Sequence, residues 1–252
     1  MTAETLVLAV AMAVAAGLVG AFAVMRRMSL AADPLSHVAL PGLGVALALH
    51  IHPLVGAAAA LLFGAVLVWA LESDSRESTE TIIGVVFSAA LAVGSLMTTG
   101  EDLIEALFGS EGLLSWPEVV AGVAAACVVV VFIISQRHRL VIMLVSGDLA
   151  RTAGIAVRGL DLLYLLTFAL TIALGLRYLG VLLMGGLIII PAATAKRLAR
   201  NLNEMLLVAA VLAVCATLIG SAIAAWLGQE TGPLIVLVAA VGFMASLLRR
   251  PG

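Results

Sequence analysis

Charge is scarce in this chain of 252 residues: Asp, Glu, Lys and Arg make up only 11%, where a soluble domain carries about a quarter. Hydrophobic residues account for 63% and mean hydropathy is +1.23, so there is too little polar surface to cover a water-exposed globule. Long apolar runs recur along the whole length, the composition of a polytopic membrane protein. The net charge of −2 is too small to point to nucleic acid. Cysteine is nearly absent too. Cys127 and Cys215 both lie in apolar runs, which predicts small buried hydrophobes rather than a disulfide or a metal site. Lys196 is the single lysine, and "PAATAKR" lacks the glycines and the Ser/Thr that a phosphate-binding loop requires. ATP-driven work therefore needs another subunit. Neither His-Glu-x-x-His nor Gly-x-Ser-x-Gly occurs, so an intramembrane hydrolase has no evident machinery and no enzyme is expected.

What is present is a series of runs near the 20 or so apolar residues that a helix needs to cross the hydrocarbon layer. They fall at 5–25, 34–51, 53–71, 81–98, 118–135, 160–177, 179–195, 205–227 and 232–248. This predicts an all-α polytopic membrane protein of nine spans, or eight if one segment is broken or re-entrant, as one transmembrane domain over 1–252. Only "LRYLG" separates the runs from 160 to 195, which predicts a tight turn there. The first run is too long and lacks the basic start of a cleaved signal peptide, so it reads as a retained span. In the nine-span reading Arg26, Arg27, Arg76, Arg137, Arg139, Arg151, Arg158, Lys196, Arg197, Arg200, Arg249 and Arg250 all fall on one side, and only Arg177 on the other. Basic loops face the cytoplasm, so the amino terminus is expected outside and the carboxyl terminus inside.

Two loops invite a reading. The outer one carries Glu101, Asp102, Glu105 and Glu111 around Leu103, Ile104, Leu107 and Phe108; it is a short interfacial helix or a docking surface for an external partner. The inner one, Gln136 to Asp161, contains Gly147, Asp148, Leu149, Ala150, Ala153 and Gly154. Asp148 can cap a short amphipathic helix there, with glycine turns at either side. That helix either lies on the lipid surface or seats in a groove of a cytoplasmic partner.

Inside the spans, Asp33 and His37 stand out in "AADPLSHVALPGLG". Ionisable groups at membrane depth cost roughly 2.5–3.5 kcal/mol on insertion scales and mark pathways or bundle interiors. Spaced four apart, they share a helix face and offer the oxygen and nitrogen donors that zinc, manganese or iron prefer. Two donors are too few for such an ion; a symmetric second copy doubles them. The competing reading makes Asp33 a helix cap before Pro34, with His37 a hydrogen-bonded interior residue. Pro41 deprives the carbonyl of His37 of its helical partner, opening the backbone at the same place. Pro191 does the same to Leu187, where the small residues Ala192 to Ala195 read as a packing seam. His50 and His52 at the outer end of the second span are idle loop histidines or a metal entry point, and His138 among arginines reads as solvated.

Several stretches resemble one family, the membrane permeases of zinc/manganese-type ABC importers: "RRMSLAADPLSHVALPGLGVAL", "GDLARTAGIAVRGLDLLYLL", "LGVLLMGGLIIIPAATAKRLAR" and "TGPLIVLVAAVGFMASLL", in that order along the chain. The resemblance implies a homodimeric permease, or half of a related heterodimer, in a bacterial inner membrane. Its partners would be cytoplasmic ATP-binding subunits, an external metal-binding protein and membrane lipid; no cofactor is held permanently, and the metal ion is cargo. Asp33 and His37 match the family's metal-coordinating pair, and Asp148 to Val157 matches the helix that enters the ATPase. Pro34 and Val38 depart from the small or hydroxyl residue and the alanine common there, and Pro34 favours the cap. The rival functions are an ABC permease for a larger organic solute and an ATP-independent cation transporter.

Overall fold

The computed structural model describes residues 3–28, 32–74, 78–97 and 115–248. Among them are ten helices and no strand: α1 (Ala3–Met25), α2 (Ala32–His37), α3 (Ala39–Ala48), α4 (Pro53–Asp74), α5 (Thr79–Met97), α6 (Trp116–Val145), α7 (Gly147–Thr152), α8 (Val157–Leu198), α9 (Leu202–Leu227) and α10 (Thr231–Leu247). Among the described residues six segments are long and apolar enough to cross a bilayer: Glu4–Met25, Pro53–Glu72, Thr79–Leu96, Trp116–Val145, Val157–Leu176 and Leu202–Leu227. The acidic outer loop from Thr98 to Leu114 lies outside the described residues.

Nine uninterrupted spans are not what forms. The run 34–51 is two short helices, α2 and α3, with Val38 between them. The runs 160–177 and 179–195 are one helix, α8, with no non-helical turn at "LRYLG". That string holds no proline and one glycine, so nothing in it stops the hydrogen-bond ladder. A straight helix of 42 residues would run about 63 Å, twice the roughly 30 Å of a hydrocarbon core. It is not straight. The Met184 sulfur lies against Gly175, a residue about 13 Å away along a straight helix, so the axis bends sharply between them. Likewise α6 runs on past the expected end near 135 to Val145, because the first helix-stopping pair after that point is Ser146-Gly147.

The helix at the centre is α1, which packs against α6, α8 and α9. It is apolar on every side and built largely from Ala, Val and Gly, with Met12 and Phe22 fully buried. Such a helix can be surrounded, since small side chains let neighbouring backbones come close where lipid supplies no hydrophobic drive. By contrast α5 and α6 leave Val85, Val93, Val120, Val128 and Val131 exposed, an outer apolar surface suited to lipid. Cys127 and Cys215 sit on that kind of surface, free and exposed rather than buried. In a membrane protein an apolar run does not imply burial, because the outside is apolar as well.

Hydroxyls within the helices are satisfied locally. Thr167, Thr171, Thr194 and Thr217 each donate to the carbonyl four residues back, at 2.7, 2.8, 2.8 and 2.9 Å, which removes most of the cost of sinking a polar group in an apolar bundle. Pro191 does not break α8. Loss of one backbone bond is outweighed by packing: Ala192 and Ala195 are fully buried, and Ile188 and Ala192 meet Gly20 of α1. The small-residue seam is the reading that fits.

Candidate metal site and coupling segment

The site begins where α1 stops. Arg26 N donates to Phe22 O at 2.8 Å and Met28 N to Ala23 O at 2.9 Å, closing the helix with Arg27 in the left-handed region at φ 59°. The reversal turns Met28 inward, 2% exposed, leaves Arg27 in the open, and sends Arg26 into the bundle. A non-glycine residue in that region costs about 1 kcal/mol. Arg27→Gly is therefore expected to raise stability by up to about that much without moving Arg26, as read by thermal unfolding in detergent.

Beyond this turn α2 presents Asp33 and His37 on one face. Asp33 stands in the first turn of α2 and its side chain is exposed. Among the described residues the Asp33 carboxylate makes no hydrogen bond or ion pair. Ser36, buried one position before the histidine, donates its hydroxyl to the Asp33 carbonyl at 2.6 Å and lies 3.4 Å from His37 Nδ1. The half-buried His37 ring packs edge-on against Phe87 of α5, with centroids 5.5 Å apart. Ring and hydroxyl together fix the imidazole, and among the described residues Nε2 has no hydrogen-bond partner. A hydrogen bond at one ring nitrogen commonly leaves the other as the metal donor.

The backbone next to the pair is irregular. Val38 keeps helical angles, φ −62° and ψ −16°, yet its N–H reaches Leu35 O at 3.1 Å, three residues back instead of four. Pro41, three positions on, has no N–H to return to the His37 carbonyl. On the far side of α2, a Cβ on Gly185 would stand 3.2 Å from the Asp33 nitrogen and 3.3 Å from its Cα. Only a residue without a side chain lets α8 support the Asp33 backbone so closely.

The α7 segment differs in detail from expectation. Its cap is Ser146, whose hydroxyl accepts from Leu149 N at 3.2 Å, and not Asp148. Asp148 instead pairs with Arg151 at 3.1 Å, both exposed. A hydroxyl at the residue before Gly147 reaches the third amide on, leaving Asp148 one position too late to cap. Gly147 opens the helix and Gly154 lies past its end at φ 76°. Ala150 is buried while Leu149 is 54% exposed; Ala153 and Gly154 are exposed too. At the opposite end of the bundle His52 Nε2 lies 3.4 Å from Glu118 Oε1, while His50 holds a left-handed backbone at φ 54°. His138 accepts from Arg137 Nε at 3.2 Å and is exposed.

Three contributors were not singled out from the sequence. Phe87 and Gly185 belong to distant segments, and only the "GG" before "LIIIP" hinted at a close approach. The third, an ion pair between Arg26 and Asp161, joins two residues that sequence treats as separate loop charges.

The fold is thus that of a multi-pass helical membrane protein with an acid–imidazole pair at an irregular turn and a short exposed helix set between two long ones. The chain belongs to the ABC 3 transport family, whose model matches residues 1–250. It is 31% identical over 237 residues to the high-affinity zinc uptake system membrane protein ZnuB of Haemophilus influenzae, covering 92% of this chain and 90% of that protein. Identity is 30% over 252 residues to the manganese import system permease protein ScaB of Streptococcus parasanguinis, with 98% and 90% covered. The structure of PsaBC from Streptococcus pneumoniae in complex with Fab superposes with a TM-score of 0.85 at 26% identity, over 98% of this chain and 91% of that one. The resemblance seen in the sequence motifs is therefore one of family membership.

Proposed function

We propose that this chain is the permease subunit of an ATP-driven importer for a divalent first-row transition metal: zinc, manganese or iron. Two copies form the pathway, an external metal-binding protein delivers the ion, and cytoplasmic ATPase subunits engage the α7 segment. The protein lies in a bacterial inner membrane with its amino terminus outside and its carboxyl terminus, with the basic end of the bundle, inside. The observation that carries this reading is the pair of uncommitted donors on one face of α2, the Asp33 carboxylate and His37 Nε2. A capping carboxylate would be occupied by backbone amides, and no such bond is present among the described residues. Among those residues no group of three or more His, Cys, Asp or Glu forms, so one copy offers too few donors to trap an ion. Moderate affinity suits transit: enough to replace lost hydration, weak enough to release.

Support for a metal cargo comes from relatives named for zinc uptake and manganese import. The test is uptake of radioactive zinc and manganese by the assembled transporter in liposomes. Asp33→Ala and His37→Ala should each lower uptake at least about ten-fold, the scale on which loss of a donor acts. Unchanged uptake in both variants, with normal assembly, would remove the pair from the pathway.

A further inference from the structure

At the basic end of the bundle the side chain of Arg26 is held from two directions. Its Nη2 donates to Asp161 Oδ1 at the start of α8. The guanidinium lies 4.8 Å over the Tyr164 ring, and the Tyr164 hydroxyl donates to Val19 O at 3.3 Å, which ties the ring to α1. The paired side chains are 12% and 15% exposed and stand 135 positions apart in the chain. Beside them is a cavity of about 290 Å³ lined by Arg26, Asp161, Trp69 and Glu72 of α4, Arg151 of α7 and Arg158. Trp69 donates to the Arg158 carbonyl at 2.9 Å.

Two atoms in this arrangement are left over. Arg26 Nη1 is buried without a hydrogen bond, and so is Glu72 Oε2; the other Glu72 oxygen accepts from Thr79 at 2.5 Å. One guanidinium therefore sits at a cavity with two carboxylates, bonded to one through Nη2 alone, while the other carboxylate keeps a buried oxygen unused. A covered ion pair loses nearly as much in solvation as it gains in attraction, so it adds little to stability; its best-attested uses are in fixing register and in switching. The cavity gives the side chain room to move. Six residues beyond Arg26, α2 begins, and with it the Asp33–His37 face. On the other flank α7 packs against α6 and α8, so a push on α7 reaches Asp161 through the first turn of α8.

We propose that Arg26 is the positioning residue that conveys movement of α7 to the metal-ligating face. Paired with Asp161 it holds the reversal at Arg26–Met28 in the state described; displacement of α7 and the start of α8 transfers the guanidinium to Glu72, and the end of α1, which leads on to α2, moves with it. Exchange of one carboxylate partner for another of the same chemistry gives two discrete states rather than a continuous drift. This inference rests on the reading of α7 as the ATPase-facing segment and of Asp33 and His37 as the metal pair.

The test uses the complete transporter in liposomes, with its ATPase subunits and metal-loaded binding protein, and measures ATP hydrolysis and zinc or manganese uptake separately. Glu72→Gln keeps the shape and the bond to Thr79 but weakens the second station. It should lower the metal moved per ATP by about ten-fold, a typical coupling between distant sites, with hydrolysis maintained. Asp161→Asn should uncouple in the same way, and exchanging the charges as Arg26→Asp with Asp161→Arg should restore assembly but not coupling, since Glu72 then faces a carboxylate. Should Glu72→Gln fail to assemble, Glu72→Met, of similar volume, takes its place. Uptake and hydrolysis changing in the same proportion in these variants, or not at all, would reduce the pair to a structural brace. Asp33→Ala separates the two readings. If it abolishes uptake while Glu72→Gln leaves metal per ATP untouched, the inference about Arg26 fails and the transport reading stands; if the wild type moves neither metal, the transport reading itself fails.

Discussion

Gly42→Leu is expected to leave little folded protein in the membrane. At that position α3 and α4 touch backbone to backbone. A Cβ on Gly42 would collide with the Gly56 carbonyl and stand 2.5 Å from Ala60 Cβ, and a Cβ on Gly56 would meet the Gly42 carbonyl and stand 2.6 Å from Ala46 Cβ. Because the obstacles are main chain and Cβ atoms, no side-chain rotation can relieve them; the helices must separate. Overfilling a packed interior ordinarily costs about 1–3 kcal/mol, and here the whole α3–α4 contact is forfeited as well, against a total stability on the order of 5–15 kcal/mol. In lipid nothing but packing holds that contact. The control is Gly84→Leu on α5, where a Cβ would meet nothing within 4 Å and leucine gains about 1 kcal/mol in helix propensity. Size-exclusion profiles of detergent extracts should show Gly84→Leu near wild type and Gly42→Leu lost or aggregated. Equal profiles for the two would mean that α3 and α4 do not approach as described.

The bulk of this architecture was legible because composition leaves few options. A chain with 63% hydrophobic residues and runs of membrane-spanning length has to form apolar helices, and the ends of α1, α9 and α10 fall within a few residues of the expected bounds. Errors came where hydropathy cannot see geometry. It cannot tell a sharply bent continuous helix from two helices and a turn, which is the difference at Gly175–Met184. Nor does it register that α6 continues through Arg137, His138 and Arg139, since charged residues end an apolar run without ending a helix. The cysteines were misplaced because inward and lipid-facing surfaces share one composition. For the site, spacing named Asp33 and His37, but whether the carboxylate was a cap or a free donor depended on partners that no local pattern reveals. Phe87, Gly185 and Asp161 were invisible for the same reason: each enters through a contact between segments far apart in sequence.

The sharpest consequence of such a long-range contact concerns Gly185. It carries no donor atom in its side chain, and its substitution is nevertheless expected to impair the proposed transport strongly. A Cβ there would lie 3.2 to 3.4 Å from Asp33 N, Cα and Cβ, close enough that alanine forces a shift of a few tenths of an ångström. Valine adds two methyl groups facing the first turn of α2, and that turn has to move as a unit because Ser36 ties itself to the Asp33 carbonyl. In the function proposed above, Asp33 and His37 would then no longer converge where a second copy could complete the donor set. Displacing groups that merely orient metal ligands costs about 10–100-fold in affinity or activity, so Gly185→Val should lose zinc or manganese uptake on that scale, with Gly185→Ala intermediate. Gly186→Val tests whether the effect is local: a Cβ at Gly186 meets the side chain of Val236 on α10, at 3.1 and 3.2 Å, and its three nearest neighbours include no atom of α2. It should lower thermal stability without changing metal dependence, whereas Gly185→Val should lose uptake well beyond what its loss of stability accounts for. If the two glycine variants lost uptake in proportion to their melting temperatures, the contact between α8 and Asp33 would be ordinary packing, and support of the carboxylate from behind would have no part in transport.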